Sequence, residues 1–285
     1  MSFIVSLFKP LAYLSLPVLF LRSISNTSPV ARYYVKAFAY AGTLATVASG
    51  CFFAAIGFSL TGKKYDLNNF VARVFYTAAN NFFNLEVEVE GEEYLDQRPA
   101  VLMCNHQSMV DIVIVGRLMP KQTTMVSKDS LKYTPLGPFM IMSGSVFVNR
   151  GNNAAAKNKI STWMFPEGTR HLSKESNMLP LKKGGFHLAV SAGIPIIPIV
   201  VENYWHLYHQ GVFNEGKIRV KVLPPIPTVG LTGKDVGELA VRVREQMVST
   251  LHEISTHAPQ VEVERQGRRR RRKTRVMVLV GKPDN

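Results

Sequence analysis

Pro99-Ala100-Val101-Leu102-Met103-Cys104-Asn105-His106-Gln107-Ser108-Met109-Val110-Asp111 decides how this chain folds. Pro99 is punctuation, and residues 100–104 are short and continuously apolar, the pattern of a strand buried on both faces. Over residues 110–118 the apolar spacing becomes helical. Strand, turn and helix therefore follow one another, and Asn105 and His106 fall just past a strand end, where an α/β sheet presents its reactive groups.

The same alternation extends outward. Leu85-Glu86-Val87-Glu88-Val89-Glu90 alternates perfectly and predicts a strand with one wet face, ended by Gly91. Strand-like runs at residues 124–126, 146–148, 162–165, 196–201 and 218–222 predict further strands. Helical spacing predicts helices at residues 67–83, with Val71, Val74, Phe75, Ala78 and Phe82 as the apolar stripe, and at 182–192 and 234–253. The expected fold class is α/β: a mixed, largely parallel sheet flanked by helices, with an N-terminal hydrophobic helical membrane region.

Residues 37–62 carry no charge, and a helix rising about 1.5 Å per residue over that length spans a hydrocarbon core of about 30 Å. Residues 3–21 are also apolar but contain Lys9, Pro10 and Pro17, so they read as a second span, a re-entrant arm or an interfacial segment. A secretory signal is disfavoured, because Lys9 follows eight mostly apolar residues and no small-residue cleavage pattern comes after it. Arg22, Arg32 and Lys36 fall between the two segments and Lys63 and Lys64 follow the second, so charge gives no orientation. The expected division is a membrane-associated region over 1–64, a catalytic domain over 65–255 and a basic, disordered tail over 256–285.

The net charge of +14 is largely a property of that tail: Arg265, Arg268, Arg269, Arg270, Arg271, Arg272, Lys273 and Arg275 supply +8 and leave +6 elsewhere. A solvated tail is expected ahead of attraction to anionic lipid, and no nucleic-acid partner is expected. Two cysteines, Cys51 and Cys104, give neither a disulfide framework nor metal-ligand spacing. Cys104 is expected to be a buried core residue rather than a nucleophile.

His106 and Asp111 carry the chemistry. Five residues of helix rotate by about 140°, so two mid-helix positions at this spacing would not share a face. His106 is therefore expected in the turn before the helix, with Asp111 one turn inside it. There the carboxylate fixes one imidazole nitrogen and leaves the other free to take a proton. That is the orienting half of a catalytic triad. Ser108 is close in sequence, but no Gly-x-Ser-x-Gly elbow surrounds it, so a substrate hydroxyl is the natural nucleophile.

Phe165-Pro166-Glu167-Gly168-Thr169-Arg170 combines a strand end, a glycine turn, a hydroxyl and a guanidinium, a set suited to bidentate capture of phosphate. Gly144-Ser145-Val146-Phe147-Val148-Asn149-Arg150 places a second arginine after another strand. Residues 105–170 hold eight Lys and Arg against three acids, an electropositive excess. A surface ion pair is the commonplace role for any one arginine, but two at strand ends beside a His-Asp pair point to a site.

With Ile194-Pro195-Ile196-Ile197-Pro198 as the fourth of these ordered blocks, the chain resembles the 1-acyl-sn-glycerol-3-phosphate acyltransferases of the glycerolipid acyltransferase family over roughly residues 65–255. The resemblance implies acyl transfer from acyl-CoA to the sn-2 hydroxyl of lysophosphatidate, with His106 as general base oriented by Asp111. It further implies that Arg150, Gly168, Thr169 and Arg170 position the substrate phosphate and that Glu167 orders the turn or contacts glycerol. Lys128 would hold acyl-CoA or its oxyanion, Asn105 and Gly144 would complete the binding set, and Pro195 and Pro198 would shape the sheet edge. The implied partners are acyl-CoA, a co-substrate, lysophosphatidic acid and the bilayer of an intracellular membrane, the endoplasmic reticulum. No metal and no cofactor are implied.

One departure from the family pattern stands out. Only 14 residues separate Arg150 from Phe165, where the family usually has an amphipathic helix. A parallel crossover needs roughly a dozen residues or more. This leaves open an acyltransferase acting on another lysophospholipid or on glycerol 3-phosphate, or an inactive membrane lipid-binding scaffold. A serine hydrolase ranks behind both.

Overall fold

The computed structural model describes residues 20–21, 23–25, 27–63, 65–127, 133, 141, 146–147 and 160–255. Its strands are β1 (Leu85–Glu90), β2 (Val101–Cys104), β3 (Thr123–Ser127), β4 (Val146–Phe147), β5 (Ser161–Met164), β6 (Ile196–Val201), β7 (Tyr208–His209), β8 (Val212–Phe213) and β9 (Gly216–Val222). Seven form one sheet in the order β1-β9-β6-β2-β5-β3-β4, and β7 and β8 pair separately as a hairpin. Every pairing in the sheet is parallel except β6 with β9, so the sheet is mixed and largely parallel, as the sequence predicts.

The central strands are continuous apolar runs because both of their faces are covered. Leu102 and Cys104 enter one cluster with Val113, Ile114, Trp163, Ile197 and Ile199. Val101 and Met103 point the other way, into a cluster with Phe186, Ile196, Val200, Val243 and Met247. Edge strand β1 instead buries Leu85 and Val87 and exposes its three glutamates, as its alternation predicts.

The helices are α1 (Pro29–Leu60), α2 (Asp66–Phe83), α3 (Asp111–Leu118), α4 (Gly184–Ala192) and α5 (Val236–Ile254), with a 3-10 turn at Glu92–Asp96 that the periodicity did not predict. Helix α1 begins earlier than the uncharged stretch, because Ser28 caps it through its side chain and Pro29 sits in its first turn. Arg32 and Lys36 thus lie inside a helix rather than in a link between two apolar segments. Among the described residues α1 alone is long and apolar enough to cross a membrane, with a mean hydropathy of 1.7 in its most apolar window.

Helix α2 returns alongside α1: Tyr40 meets Phe75 and Phe83, and Phe58 meets Phe70. The predicted stripe on α2 needs one correction. Phe82 is exposed, and Phe83 takes the core position against Tyr40 and Phe213. Residues 1–19 and the basic tail from residue 256 lie outside the described residues. So do residues 148–159, while the strands on either side of them, β4 and β5, flank β3, both parallel to it.

Gly116 sets the distance between α2 and α3, since a Cβ there would stand 2.4 Å from the Ala72 carbonyl oxygen and 2.7 Å from Tyr76 Cβ. Gly116→Val is expected to lower stability by about 1–3 kcal/mol through overpacking. A thermal melt of the purified protein reads this, and an unchanged midpoint would show that the two helices can part freely.

Candidate active site

Strands β2 and β6 run parallel, so their carboxyl ends lie side by side, and Asn105 ties them together. Its Oδ1 accepts from the Val201 N–H at 2.7 Å, and its Nδ2 donates to the Val201 carbonyl at 2.9 Å. Asn105 is buried with both ends of its amide engaged by backbone, which directs it at the sheet rather than at a substrate. Gln107 extends the tie, donating from Nε2 to the Glu202 carbonyl at 2.8 Å.

The turn that follows is organised by Asp111. Its Oδ2 lies 2.7 Å from His106 Nδ1 and accepts the backbone N–H groups of Gln107 at 2.7 Å and Ser108 at 3.1 Å. Its Oδ1 accepts from the Tyr204 hydroxyl at 2.6 Å. The side chain is 1% exposed, so the carboxylate is desolvated and held by four donors. An ionised carboxylate only accepts, hence Nδ1 is the donor in this contact and Nε2 is the ring nitrogen left outside it. Asp111 is the first residue of α3 rather than a residue one turn inside it, because its carboxylate binds N–H groups of the preceding turn.

His106 is fixed through its backbone as well. Its N–H donates to Glu167 Oε1 at 2.8 Å, its carbonyl accepts the His171 N–H at 2.8 Å, and its ring stacks on Phe165 with centroids 3.9 Å apart. The Glu167 second oxygen accepts the Leu179 N–H at 2.9 Å. Burial pushes the Glu167 carboxyl up from the ordinary glutamate range, while the two backbone donors pull it back. Of the two placements expected for Glu167, the geometry is that of a residue ordering its turn.

Gly168 has a φ of +70°, and a Cβ there would stand 2.6 Å from Lys182 Nζ and 2.7 Å from its Cε, so the Lys182 stem crosses the turn where a side chain would be. Thr169 and Arg170 are exposed beside it. The field of Arg170 reaches Tyr208, whose phenol burial pushes up to about 12 against the pull of that guanidinium. The structure thus brings His106, Asp111, Glu167, Gly168, Thr169 and Arg170 to one edge of the sheet. Lys128, Gly144 and Arg150 lie outside the described residues.

Neither protein nucleophile weighed in the sequence is presented to this edge. Cys104 is wholly buried, and burial pushes its thiol well above the ordinary range. The Ser108 Oγ is buried, accepts the Val110 N–H at 3.0 Å and lies 2.8 Å from the Tyr204 hydroxyl. Tyr204 and Lys182 are the residues that sequence reasoning passed over. Tyr204 follows the predicted strand at 196–201 by three positions, a signal that could have put it at the same carboxyl edge as His106, but nothing in its spacing points to its partner.

Residues 86–202 match the model of the Acyltransferase family, a span that holds both the His106-Asp111 turn and the Glu167 turn. That match, with the two relatives that follow, makes this chain an acyltransferase, and it belongs to that family. It is similar to the 1-acyl-sn-glycerol-3-phosphate acyltransferase of Saccharomyces cerevisiae, at 44% identity over 225 positions covering 72% of this chain and 74% of the relative. It is likewise similar to the human 1-acyl-sn-glycerol-3-phosphate acyltransferase alpha, at 33% identity covering 80% of this chain and 84% of the relative. The crystal structure of the 1-acyl-sn-glycerophosphate acyltransferase PlsC of Thermotoga maritima shares the fold, with a TM-score of 0.58 and 22% identity covering 76% of this chain and 97% of that one.

The yeast comparison also measures a deficit. It runs over 225 positions, yet 72% of 285 residues is about 205, so about 20 positions of the relative have no counterpart here.

Glu167→Gln replaces one acceptor with an NH2 group aimed at a backbone N–H. It is expected to cost about 1–3 kcal/mol of stability and to lower acyl transfer with it. Melting and turnover measured on the same preparation check this, and a glutamine variant equal to the wild type in both would show that the second acceptor is dispensable.

Proposed function

We propose that this chain transfers an acyl group from acyl-CoA to the sn-2 hydroxyl of 1-acyl-sn-glycerol 3-phosphate, giving phosphatidic acid and CoA. The observation that carries the reading is the 2.7 Å contact of His106 Nδ1 with Asp111, which turns the basic Nε2 away from its orienter while Ser108 and Cys104 are buried. The names of the yeast and human relatives support the acceptor.

In this mechanism Nε2 takes the proton of the sn-2 hydroxyl as its oxygen attacks the thioester carbonyl. The tetrahedral intermediate then collapses, the carbon–sulfur bond breaks, and CoA leaves with the proton held by His106. No acyl-enzyme forms. Asp111 stabilises the imidazolium between the two steps. Gly168, Thr169 and Arg170 hold the acceptor phosphate, joined by Arg150 and Gly144, and Lys128 serves the acyl-CoA end. The reaction needs neither cofactor nor metal. Helix α1 lies in the bilayer of an intracellular membrane, the endoplasmic reticulum, and brings the site to its lipid substrate.

The short stretch of 14 residues between Arg150 and Phe165 favours one second reading, in which the phosphate site is altered and the enzyme prefers another lysophospholipid or glycerol 3-phosphate or turns over slowly. Membranes bearing the chain are expected to convert lysophosphatidate and acyl-CoA to phosphatidate. His106→Ala is expected to lower the rate by about 10²–10⁴-fold, and Asp111→Asn to lower it as well. Turnover that survives His106→Ala would overturn the mechanism. Turnover found only with a different acceptor in the panel would overturn the substrate.

A further inference from the structure

We propose that Tyr204 is a positioning residue that sets how tightly the His106-Asp111 pair holds a proton, with Ser108 orienting Tyr204 in turn. Its kinetic consequence rests on the acyl-transfer reading above; its effect on proton affinity does not.

The proton inventory of the cluster closes in one direction only. Tyr204 is wholly buried, with its hydroxyl 2.6 Å from Asp111 Oδ1 and 2.8 Å from Ser108 Oγ. Because a carboxylate accepts and cannot donate, the single phenolic proton goes to Asp111. The Tyr204 oxygen must then accept from the Ser108 hydroxyl, whose own oxygen accepts the Val110 N–H at 3.0 Å. The chain runs Val110 to Ser108 to Tyr204 to Asp111, and meets His106 Nδ1 on the other carboxylate oxygen. Burial and the charge of Asp111 push the Tyr204 phenol well above its ordinary range, so it keeps this proton.

A donor on Oδ1 draws charge away from Oδ2, so Asp111 stabilises the imidazolium less than an undonated buried carboxylate would. Tyr204 thereby keeps the base neutral and available at lower pH. It also blocks rotation of the carboxylate, since both oxygens are committed. The other titratable groups facing the pair come from different elements. Glu167, Arg170 and His171 are on the turn after β5, Cys104 on β2, Tyr40 on α1, and Tyr208 on the hairpin. Tyr204→Phe leaves all of these in place, so a change in His106 titration reports the missing hydroxyl.

The test uses the full chain in lipid nanodiscs with ¹⁵N-labelled histidine, and the His106 ring signals are assigned by their loss in His106→Ala. In Tyr204→Phe the His106 titration midpoint is expected to move to higher pH by about half a unit. The acid limb of the kcat profile should follow it, with kcat lowered by up to about threefold on that limb and the KM for acyl-CoA within about twofold. Ser108→Ala is expected to move the midpoint the same way by less. A midpoint unmoved in a folded Tyr204→Phe protein would overturn the proposal and leave Tyr204 a packing residue. Should Tyr204→Phe fail to fold, Ser108→Ala decides by the same midpoint. A moved midpoint in a chain that transfers no acyl group would uphold the inference and sink the proposed function instead.

Discussion

A carboxylate taken out of water must be surrounded by donors, and the architecture of this site follows from that requirement at Asp111. At 1% exposure the charge cannot be hydrated, so two backbone N–H groups, an imidazole and a phenol replace the water. Each donor constrains a different part of the fold. The backbone pair shapes the turn after β2, the phenol draws in the segment after β6, and the imidazole is the one donor of the four that comes from a titratable ring at the strand end. One buried charge thus links two parallel strand ends to the start of α3, and the other ring nitrogen of His106, Nε2, is left out of that contact.

The apolar helices are joined to the same turn. The hydroxyl of Tyr40, on α1, donates to the Met109 carbonyl at 3.1 Å, within the loop that Asp111 organises. Phe75 and Phe83 of α2 pack around that same ring. The helix pair and the sheet therefore share one contact region beside the site, and the position of α1 is set relative to His106 by hydrogen bonding as well as by packing.

How much of this was legible in the sequence depended on whether the cause was local. The alternation of residues 85–90 and the unbroken apolar run at 100–104 report burial on one face or two, so both strands were found. The turn holding His106 was legible because five residues cannot bring two side chains together within a continuous helix. The same reasoning placed Asp111 too deep in α3, since it did not foresee that the carboxylate would bind the turn's own N–H groups. Phe82 and Phe83 are indistinguishable by composition, and only the placement of Tyr40 and Phe213 determines which is buried. Tyr204 lies 93 residues from its partner Asp111, a pairing made by strand order rather than by spacing. Arg150 was legible as a second arginine after a strand, the roles of Lys128 and Gly144 came from the resemblance, and all three positions fall outside the described residues.

Glu167 holds the main chain of His106 while Asp111 holds its ring, and the two acids come from different strand ends. Backbone and side chain of one residue are thereby clamped by separate parts of the sheet, with Phe165 closing one face of the ring. Such an imidazole has almost no conformational search left to make. The ordering of this residue is complete before anything binds, so the entropy cost of bringing a ligand to it falls on the ligand rather than on the imidazole.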